Sequence, residues 1–461
     1  MPVNTKWSTC ERKLLLNGKS FFVRGVNYAP TPIGKPGRLD MLGHEEIFTR
    51  DLKNLRDMHA NAVKTYDFYS NVDHTEFLDA AYNKGSQPIY TIFSIWIDQS
   101  LMEPMTPIES TEFQEMIENY YEMAKQTSGH PGVMGYSIGG EINSIVVVNE
   151  PTFWEKFTLL TKAVRKGMAE NGNAQKVITT TFVDDGGASF TAGERFHADV
   201  DLWGSNVYQT NYPGSVIPAY KSVPTNKPML VSEYGYPYAS NVAEGGKEDL
   251  ELVADMLTSS TVAMEKNFNL SDPLHEQIIV GGFVFEYSDE WWKSGNEDIH
   301  NYGGVKNNGF PLGYLSEEYF GLYRAARPDG HNGIDDMHPR PTVDMLTEIW
   351  GKGKLGGEGD DYTNCNALTG VVQLGKSASI RSNHGVVSSN PLGSVVEGMF
   401  AVVAMCALAL LAFAVYDTRS RRSQYRRLSP AYQSGTSTLL NQSATTTSRR
   451  TRSIDEEEAA V

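Results

Sequence analysis

Short strand-like runs alternate with helical patterns along residues 13–350, and this alternation constrains the fold more than any other feature. Eight runs are rich in β-branched, aromatic or small residues, at 21–28, 61–69, 88–96, 133–141, 176–184, 200–208, 228–235 and 278–287. Amphipathic helical patterns lie between most of them, at 44–59, 74–85, 111–127, 151–171 and 248–267. Strands that alternate with helices form parallel sheets, and eight such units predict an α/β fold, a closed (β/α)₈ TIM barrel. An open doubly wound sheet is disfavoured, because no glycine-rich phosphate-binding motif follows the first strand.

A long apolar run constrains the second half of the chain. Residues 395–416 contain one charged residue, Glu397, and five arginines follow within 419–427. About 20 apolar residues span a bilayer as a helix, and basic flanks stay cytoplasmic. We therefore expect a single transmembrane helix with the preceding residues extracellular or lumenal. Residues 1–20 have no apolar segment, so we expect an export signal before the first residue, with an unusual insertion route as the alternative.

The chain is accordingly predicted to contain a barrel domain at 1–350 and a Gly/Ser-rich stalk at 351–394, followed by the membrane helix and a disordered cytoplasmic tail at 417–461. The formal net charge of −16 argues against a nucleic-acid partner, because phosphate binding needs clustered lysine and arginine. We expect no metal and no cofactor, since no Cys/His cluster or nucleotide motif is present. Cys10 and Cys365 lie outside the apolar run, and the sequence does not decide whether they pair.

Two of the predicted strands end in a glutamate. Glu141 ends the fourth run and Glu233 lies near the end of the seventh, and these ends form the active site in barrels of this type. Glycosidic cleavage needs one protonated and one ionised carboxyl group, ~5–5.5 Å apart in retaining enzymes. Strands four and seven face each other across a closed barrel, so the two glutamates are candidates for this chemistry. The alternative is a pair of structural carboxylates that brace loops.

Aromatic and amide side chains collect at the same ends of the predicted strands. Flat rings stack on sugar faces, and amide and hydroxyl groups bond sugar hydroxyls. A single aromatic residue at such a position would more often belong to the core. The prediction therefore depends on the number of these side chains at one end of the barrel. The candidate substrate-binding residues are Tyr28, Tyr66, Trp96, Asn206, Tyr208, Tyr287, Trp291 and Trp292. A tyrosine of strand six is placed to hydrogen-bond Glu233.

A third glutamate, Glu150, precedes Pro151 in a motif typical of many barrel glycosidases. It lies beyond the predicted end of strand four and directly before a helical pattern. Pro favours the first helical position and a carboxylate favours the helix N-terminus. We therefore interpret Glu150 as a helix-start residue and prefer Glu141 as the candidate acid.

Five segments resemble a known family of enzymes. They are FFVRGVNYAP (21–30), RDLKNLRDMHANAVKTY (50–66), GYSIGGEIN (135–143), LVSEYGY (230–236) and GGFVFEYSDEWW (281–292). In these the chain is similar to clan A of the glycoside hydrolases and, within it, to family 72, the β-1,3-glucanosyltransferases of fungal cell walls. The resemblance covers residues 13–350.

The resemblance implies a retaining transglycosylase that remodels β-glucan through a covalent glycosyl–enzyme intermediate. It makes Glu141 the acid/base and Glu233 the nucleophile, oriented by Tyr208. It also implies that Tyr28, Tyr66 and Tyr287 line the subsite at the cleaved bond.

The chain departs from the family pattern at three points. Gly140 stands where clan members have the asparagine that holds the sugar 2-hydroxyl, the family's cysteines are mostly absent, and a membrane helix replaces the lipid anchor of many members. Two alternatives therefore stay open. One is a hydrolase of another β-linked glycan, such as a mannan or galactan; the other is a catalytically weak glycan-binding membrane receptor.

Overall fold

The computed structural model describes residues 5–365, except 145, 173, 209–215, 242–244, 270–276 and 329–332. Among these residues, no helix has both the length and the apolar character to cross a bilayer. The predicted membrane helix at 395–416 and tail at 417–461 lie outside the described residues.

Nine parallel strands form the central sheet. They are β4 (Val23–Asn27), β5 (Ala62–Lys64), β6 (Tyr90–Ile95), β7 (Val133–Ile138), β8 (Val177–Thr180), β9 (Phe182–Val183), β10 (Trp203–Asn206), β11 (Met229–Tyr234) and β12 (Ile279–Val284). Their spatial order is β8-β7-β6-β5-β4-β12-β11-β10-β9. Each of the eight predicted strand regions contains one of these strands or, in the fifth region, two.

The two end strands of this sheet, β8 and β9, are parts of one chain segment separated only by Thr181. The hydroxyl of Thr180 donates to the carbonyl of Gly204 at 2.8 Å, and the Gly204 N–H donates back to that hydroxyl at 3.0 Å. The sheet is therefore a nearly closed barrel of the TIM type, and the predicted α/β fold class is confirmed to this extent.

Eight helices accompany the barrel in the described residues. They are α1 (Glu45–Asp57), α2 (Thr75–Tyr82), α3 (Thr111–Thr127), α4 (Pro151–Glu170), α5 (Ala188–Arg195), α6 (Val216–Lys221), α7 (Leu250–Phe268) and α8 (Pro341–Trp350). Five match the predicted helical patterns. Side-chain caps mark two of these starts, because Ser110 accepts the Phe113 N–H before α3 and Asp249 accepts the Leu252 N–H before α7. The sequence patterns missed α5, α6 and α8.

An antiparallel sheet covers the N-terminal end of the barrel. It consists of β1 (Trp7–Cys10), β2 (Lys13–Leu16) and β3 (Lys19–Ser20). Trp7 and Leu14 of this sheet join an apolar cluster with barrel residues such as Leu230 and Phe283. This end is thus filled with apolar side chains, which leaves the C-terminal end for polar groups.

Two antiparallel strand pairs follow the last barrel strand. They are β13 (Val305–Lys306) with β14 (Tyr314–Leu315) and β15 (Tyr323–Ala326) with β16 (Asp336–Pro339). Asp289 ties this region together, because both of its oxygens accept the guanidinium of Arg340, at 2.7 and 2.8 Å. This buried ion pair fixes the segment that leaves β12.

The first part of the predicted stalk contacts the barrel. Glu358 accepts two hydrogen bonds from the guanidinium of Arg24, at 3.0 and 2.8 Å. Cys365 forms a disulfide with Cys10, with 6.3 Å between their Cα atoms. The pairing that the sequence left open is therefore present. The stalk beyond residue 365 lies outside the described residues, and the division of the C-terminal region stays a prediction.

Candidate active site

Glu141 lies on a tight turn at the C-terminal end of β7. Its φ of 56° is left-handed, as is the φ of 81° at Gly139. The Glu141 N–H donates to the carbonyl of Thr181 at 2.7 Å, and the Gly139 N–H donates to the Tyr120 hydroxyl at 3.0 Å. A non-glycine residue with positive φ is uncommon and is held there by its surroundings. The turn thus fixes the backbone position from which the side chain of Glu141 extends.

Asn206 at the end of β10 holds the carboxyl group of Glu141. Its amide donates to Glu141 Oε1 at 2.9 Å, and its own Oδ1 accepts the Ser232 hydroxyl at 2.8 Å. The ladder between β10 and β11 skips Ser232, so that Asn206 pairs with Glu233. This bulge directs the Ser232 hydroxyl to Asn206 and brings the two strand ends that carry the site into register.

The surroundings of Glu141 favour its protonated form. Burial, followed by the negative charge of Glu233, raises the pKa of Glu141 to about 7, although the Asn206 amide lowers it. A carboxyl group with this pKa carries a proton in a substantial share of molecules at neutral pH. It is therefore suited to donate a proton.

Glu233, on β11, has the opposite surroundings. Its side chain is nearly buried, and each of its oxygens accepts a tyrosine hydroxyl at 2.7 Å, Oε1 from Tyr66 and Oε2 from Tyr208. The ammonium of Lys64 lies 3.4 Å from Oε1. These donors and the cation fix the position of both oxygens of the carboxylate. The site therefore contains one acid in a proton-donor setting and one in a nucleophile setting.

Lys64 is a site residue that the sequence analysis missed. Its side chain is fully buried, its ammonium donates to Asn27 Oδ1 at 3.2 Å, and it lies 3.8 Å from the centroid of the Tyr66 ring. Burial lowers the pKa of Lys64, and the charge of Glu233 opposes this. The available signal was a lysine at the end of an otherwise apolar strand, directly before the Thr-Tyr pair.

The structure brings four of the predicted residues to the carboxyl groups. Tyr66, Tyr208 and Asn206 bond them directly, as described. Trp96 lies beside the Glu141 turn. Its Cδ1 would be 3.0 Å from a Cβ built on Gly140. The guanidinium of Arg38 covers the Trp96 ring at 3.9 Å. The indole thus occupies space next to the position where the clan has asparagine.

Tyr28 and Tyr287 do not meet these carboxyl groups. They are 1% and 0% exposed, and their hydroxyls donate to the two oxygens of Asp51 on α1, at 3.0 and 2.7 Å. A buried ring that faces a helix has no surface for a sugar. In place of the expected subsite role, these tyrosines hold α1 against the barrel.

Trp291 and Trp292 lie in the rim after β12 and are partly exposed. Trp291 stacks on His300 with centroids 4.7 Å apart, and His300 stacks in turn on Tyr319 at 3.8 Å. The Trp292 ring lies against Gly37, where a Cβ would come within 2.1 Å of it. The rim is thus built from stacked rings whose exposed edges remain available to a ligand.

Glu150 occupies the position expected for a helix-start residue. It is the N-cap residue of α4, and Pro151 is the first helical residue. Among the described residues, no group of three or more His, Cys, Asp or Glu side chains is arranged to hold a metal ion. The two candidate glutamates are therefore Glu141 and Glu233.

Comparison with known proteins gives a family match. Residues 8–312 match the family described as glucanosyltransferase. The 1,3-beta-glucanosyltransferase GAS5 of Saccharomyces cerevisiae is 23% identical over 358 residues, which cover 72% of this chain and 65% of GAS5. The chain thus spans less than two thirds of the length of that relative.

Solved structures share the fold. Gas2p of Saccharomyces cerevisiae, in complex with laminaritetraose and laminaripentaose, has a TM-score of 0.54 at 15% identity, covering 78% of this chain and 70% of its own. A beta-D-glucuronidase of Dictyoglomus thermophilum has a TM-score of 0.52 at 16% identity, covering 76% and 54%. These likenesses agree on the barrel, and the family match extends over more than half of the sequence. The chain belongs to the glucanosyltransferase family, glycoside hydrolase family 72.

Proposed function

We propose that this chain is a retaining β-glycan-active enzyme, a 1,3-β-glucanosyltransferase that remodels β-glucan. The observation that carries the proposal is the contrast between the two glutamates: Glu141 has a pKa of about 7 because of burial and the charge of Glu233, whereas Glu233 accepts two tyrosine hydroxyls and faces a buried lysine. Pairs of acids in opposed environments perform acid/base and nucleophilic roles. The family membership and the activity named for GAS5 support the same function.

In the first step, Glu233 attacks the anomeric carbon of the donor sugar. A bond forms between a Glu233 oxygen and that carbon, and the bond to the leaving sugar breaks with its electron pair on the leaving oxygen. Glu141 gives its proton to that oxygen. Tyr66 and Tyr208 hold the attacking carboxylate by its two oxygens. The products are a glycosyl–enzyme ester and a shortened glycan.

In the second step, a hydroxyl group of an acceptor sugar attacks the same carbon. Its proton goes to the Glu141 carboxylate, its oxygen bonds the anomeric carbon, and the bond to Glu233 breaks with the electron pair returning to the carboxylate. Asn206 keeps Glu141 oriented in both steps, through its 2.9 Å hydrogen bond. Water in place of the acceptor would give hydrolysis.

The experiment is product analysis on a laminari-oligosaccharide with the full-length protein in detergent. We expect products longer than the substrate from the wild type, and a loss of at least about 10³-fold in turnover from Glu141→Gln and from Glu233→Gln. Glu150→Gln is the matched control and should keep wild-type activity. Equal activity in all three variants would show that Glu141 and Glu233 do not perform the chemistry.

A panel of substrates separates the alternatives. Turnover of mannan or galactan oligosaccharides without turnover of laminari-oligosaccharides would favour the second enzyme function. Gly140, which removes the clan's amide contact to the 2-hydroxyl, is the feature that favours a weak receptor. That alternative predicts binding of the glycan with no turnover by the wild type.

We further propose that residues 395–416 cross the membrane, that residues 351–394 act as a stalk, and that the tail at 417–461 is cytoplasmic, with the barrel domain at 1–350 extracellular or lumenal. The apolar run and the arginines after it support this topology. The Cys10–Cys365 disulfide also fits an oxidising compartment. Protease protection of a C-terminal epitope tag in sealed vesicles tests it, and digestion of the tag from the side that holds the barrel would contradict it.

A further inference from the structure

A second group of charged side chains lies beside the two glutamates, on the segments that follow β12. We call Glu286, Glu290, Lys293 and Glu317 the rim cluster. The Lys293 ammonium pairs with Glu290 Oε2 at 2.7 Å and with Glu317 Oε2 at 3.4 Å. Glu286 is buried behind this pair, and its pKa is raised well above its ordinary value by burial and by the charge of Glu290.

One aromatic ring separates the rim cluster from the nucleophile candidate. The Lys293 ammonium lies 5.0 Å from the centroid of the Phe285 ring. The same ring contacts Tyr66 and Tyr208 at centroid distances of 6.2 and 6.0 Å. These are the two tyrosines that donate to Glu233, so the cluster adjoins the reacting groups.

The rim cluster also lies close to Glu141. After burial and the charge of Glu233, the pKa of Glu141 is raised by Glu317 and lowered by Lys293. Charges act strongly on a carboxyl group only over short distances. Lys293 and Glu317 are therefore near enough to act on the carboxyl group that takes the proton of the acceptor hydroxyl in the second step.

The two segments that hold Lys293 and Glu317 are braced against each other. The Glu318 carboxylate accepts the N–H groups of Ser294, at 2.8 Å, and of Asn301. The Glu318 carbonyl oxygen lies 2.8 Å from His300 Nε2. The backbone next to Lys293 and Glu317 is thus held by hydrogen bonds to Glu318, which lowers the cost of ordering the two side chains on binding.

Two members of the rim cluster are open to a ligand. The side chains of Lys293 and Glu317 are 18% and 27% exposed, against 5% for Glu290. An ammonium beside a carboxylate offers donors and acceptors together, which suits a neutral, hydroxyl-rich ligand.

We propose that Lys293 and Glu317 bind the hydroxyl groups of the acceptor sugar and thereby favour transfer over hydrolysis. This inference rests on the proposed transferase function. The bound acceptor places one hydroxyl between Glu141 and the anomeric carbon of the glycosyl–enzyme. Its oxygen bonds that carbon, its proton moves to Glu141, and the bond to Glu233 breaks with its electron pair. Water lacks the further hydroxyls that the pair would hold, so it gains nothing from Lys293 and Glu317.

The test compares Lys293→Met and Glu317→Gln with the wild type, as full-length proteins in detergent, on one laminari-oligosaccharide. The ratio of elongated to hydrolysed product and the rate of donor consumption are measured together. We expect the ratio of elongated to hydrolysed product to fall about five- to tenfold in each variant, because a polar contact to a substrate hydroxyl is lost, and the rate of donor consumption to fall by a smaller factor than this ratio. Lys293→Arg, which keeps the charge, should retain most of the transfer.

Matched controls are Lys162→Met and Glu118→Gln, exposed residues on α4 and α3, which should leave the ratio unchanged. If Lys293→Met does not fold, Glu317→Gln alone decides. An unchanged ratio, with elongated products from the wild type, overturns the acceptor role and leaves the transferase function standing. A shifted pH profile at constant ratio also overturns it, because the pair would then act on Glu141 alone. A wild type that makes no elongated product overturns both proposals.

Discussion

Lys64 and Tyr66 converge on the same oxygen of Glu233. The tyrosine hydroxyl donates to Oε1 at 2.7 Å, and the lysine ammonium lies 3.4 Å from that oxygen and 3.8 Å from the centroid of the tyrosine ring. Lys64 is the last residue of β5, and Tyr66 follows it in the chain after Thr65. The barrel therefore places a cation directly below the candidate nucleophile, in a region closed to water.

Replacing Lys64 by methionine should impair the attack of Glu233. The substitution keeps the length of the side chain and leaves a buried carboxylate without its adjacent cation. We expect kcat/KM on a laminari-oligosaccharide to fall about 10- to 100-fold. Steady-state kinetics measure this.

A second buried lysine is the control for that prediction. The Lys176 ammonium bonds Thr5 and the carbonyl of His130, away from the two glutamates. Lys176→Met should therefore leave kcat close to wild type. Equal losses in the two variants would indicate a general effect of removing a buried charge.

The pH dependence of kcat/KM should report Glu141. The first chemical step needs its protonated form, and burial together with the charge of Glu233 raises its pKa to about 7. Activity should therefore decline on the alkaline side with a midpoint near pH 7. The Asn206 amide lowers this pKa, so Asn206→Ala should move the alkaline limb to higher pH while reducing the maximal rate. A limb that moves to lower pH would contradict the assignment of Glu141 as the acid.

Replacing Gly140 by the asparagine that clan members have at this position should not raise kcat/KM. A Cβ on Gly140 would lie 3.0 Å from Cδ1 of Trp96, closer than ordinary van der Waals contact. We expect Gly140→Asn to lower kcat/KM by displacing the indole or the Glu141 turn. Combining it with Trp96→Ala should recover part of the loss, and the comparison of the single and double variants measures this coupling. Purely additive losses would show that the two positions act separately.

Removing the disulfide should affect stability and leave catalysis intact. Cys10 and Cys365 are 355 residues apart in sequence, and they join at the end of the barrel that β1–β3 cover. We expect Cys10→Ser to lower the free energy of unfolding by about 2–5 kcal/mol, measured by denaturant titration of the full-length protein. Cys365→Ser should match it, and the double variant should be no worse than either. A large drop in kcat at 25 °C would mean that the effect reaches the site.

The barrel itself was predictable because each of its strands is a short apolar run between helical patterns. Helix α6 was missed, since six residues are too few to show a helical period. The closure between β8 and β10 through Thr180 and Gly204 also depends on side-chain hydrogen bonds that no sequence pattern reports.

The sequence located the strand ends that carry the site, but it did not show which of two successive side chains at a strand end enters the site. Successive side chains at a strand end point to opposite sides of the sheet. Asn27 bonds the carbonyls of Phe283 on the adjacent strand β12 and of Ser232 on β11, whereas its neighbour Tyr28 bonds Asp51 on α1. Proximity to a strand end thus did not distinguish side chains that point into the barrel from side chains that point toward the helices. The rim cluster forms between loops without periodicity, so only the tertiary structure reveals it.

The disulfide has a consequence for how the protein would respond to proteolysis. Because Cys10 and Cys365 lie near the two ends of the described chain, a single cut in any loop between them releases no fragment. A nicked molecule would keep both pieces and run at its original size on a non-reducing gel, and the pieces would separate only after reduction. Separation of the barrel from the residues that follow it, with the disulfide intact, would therefore require a cut after residue 365.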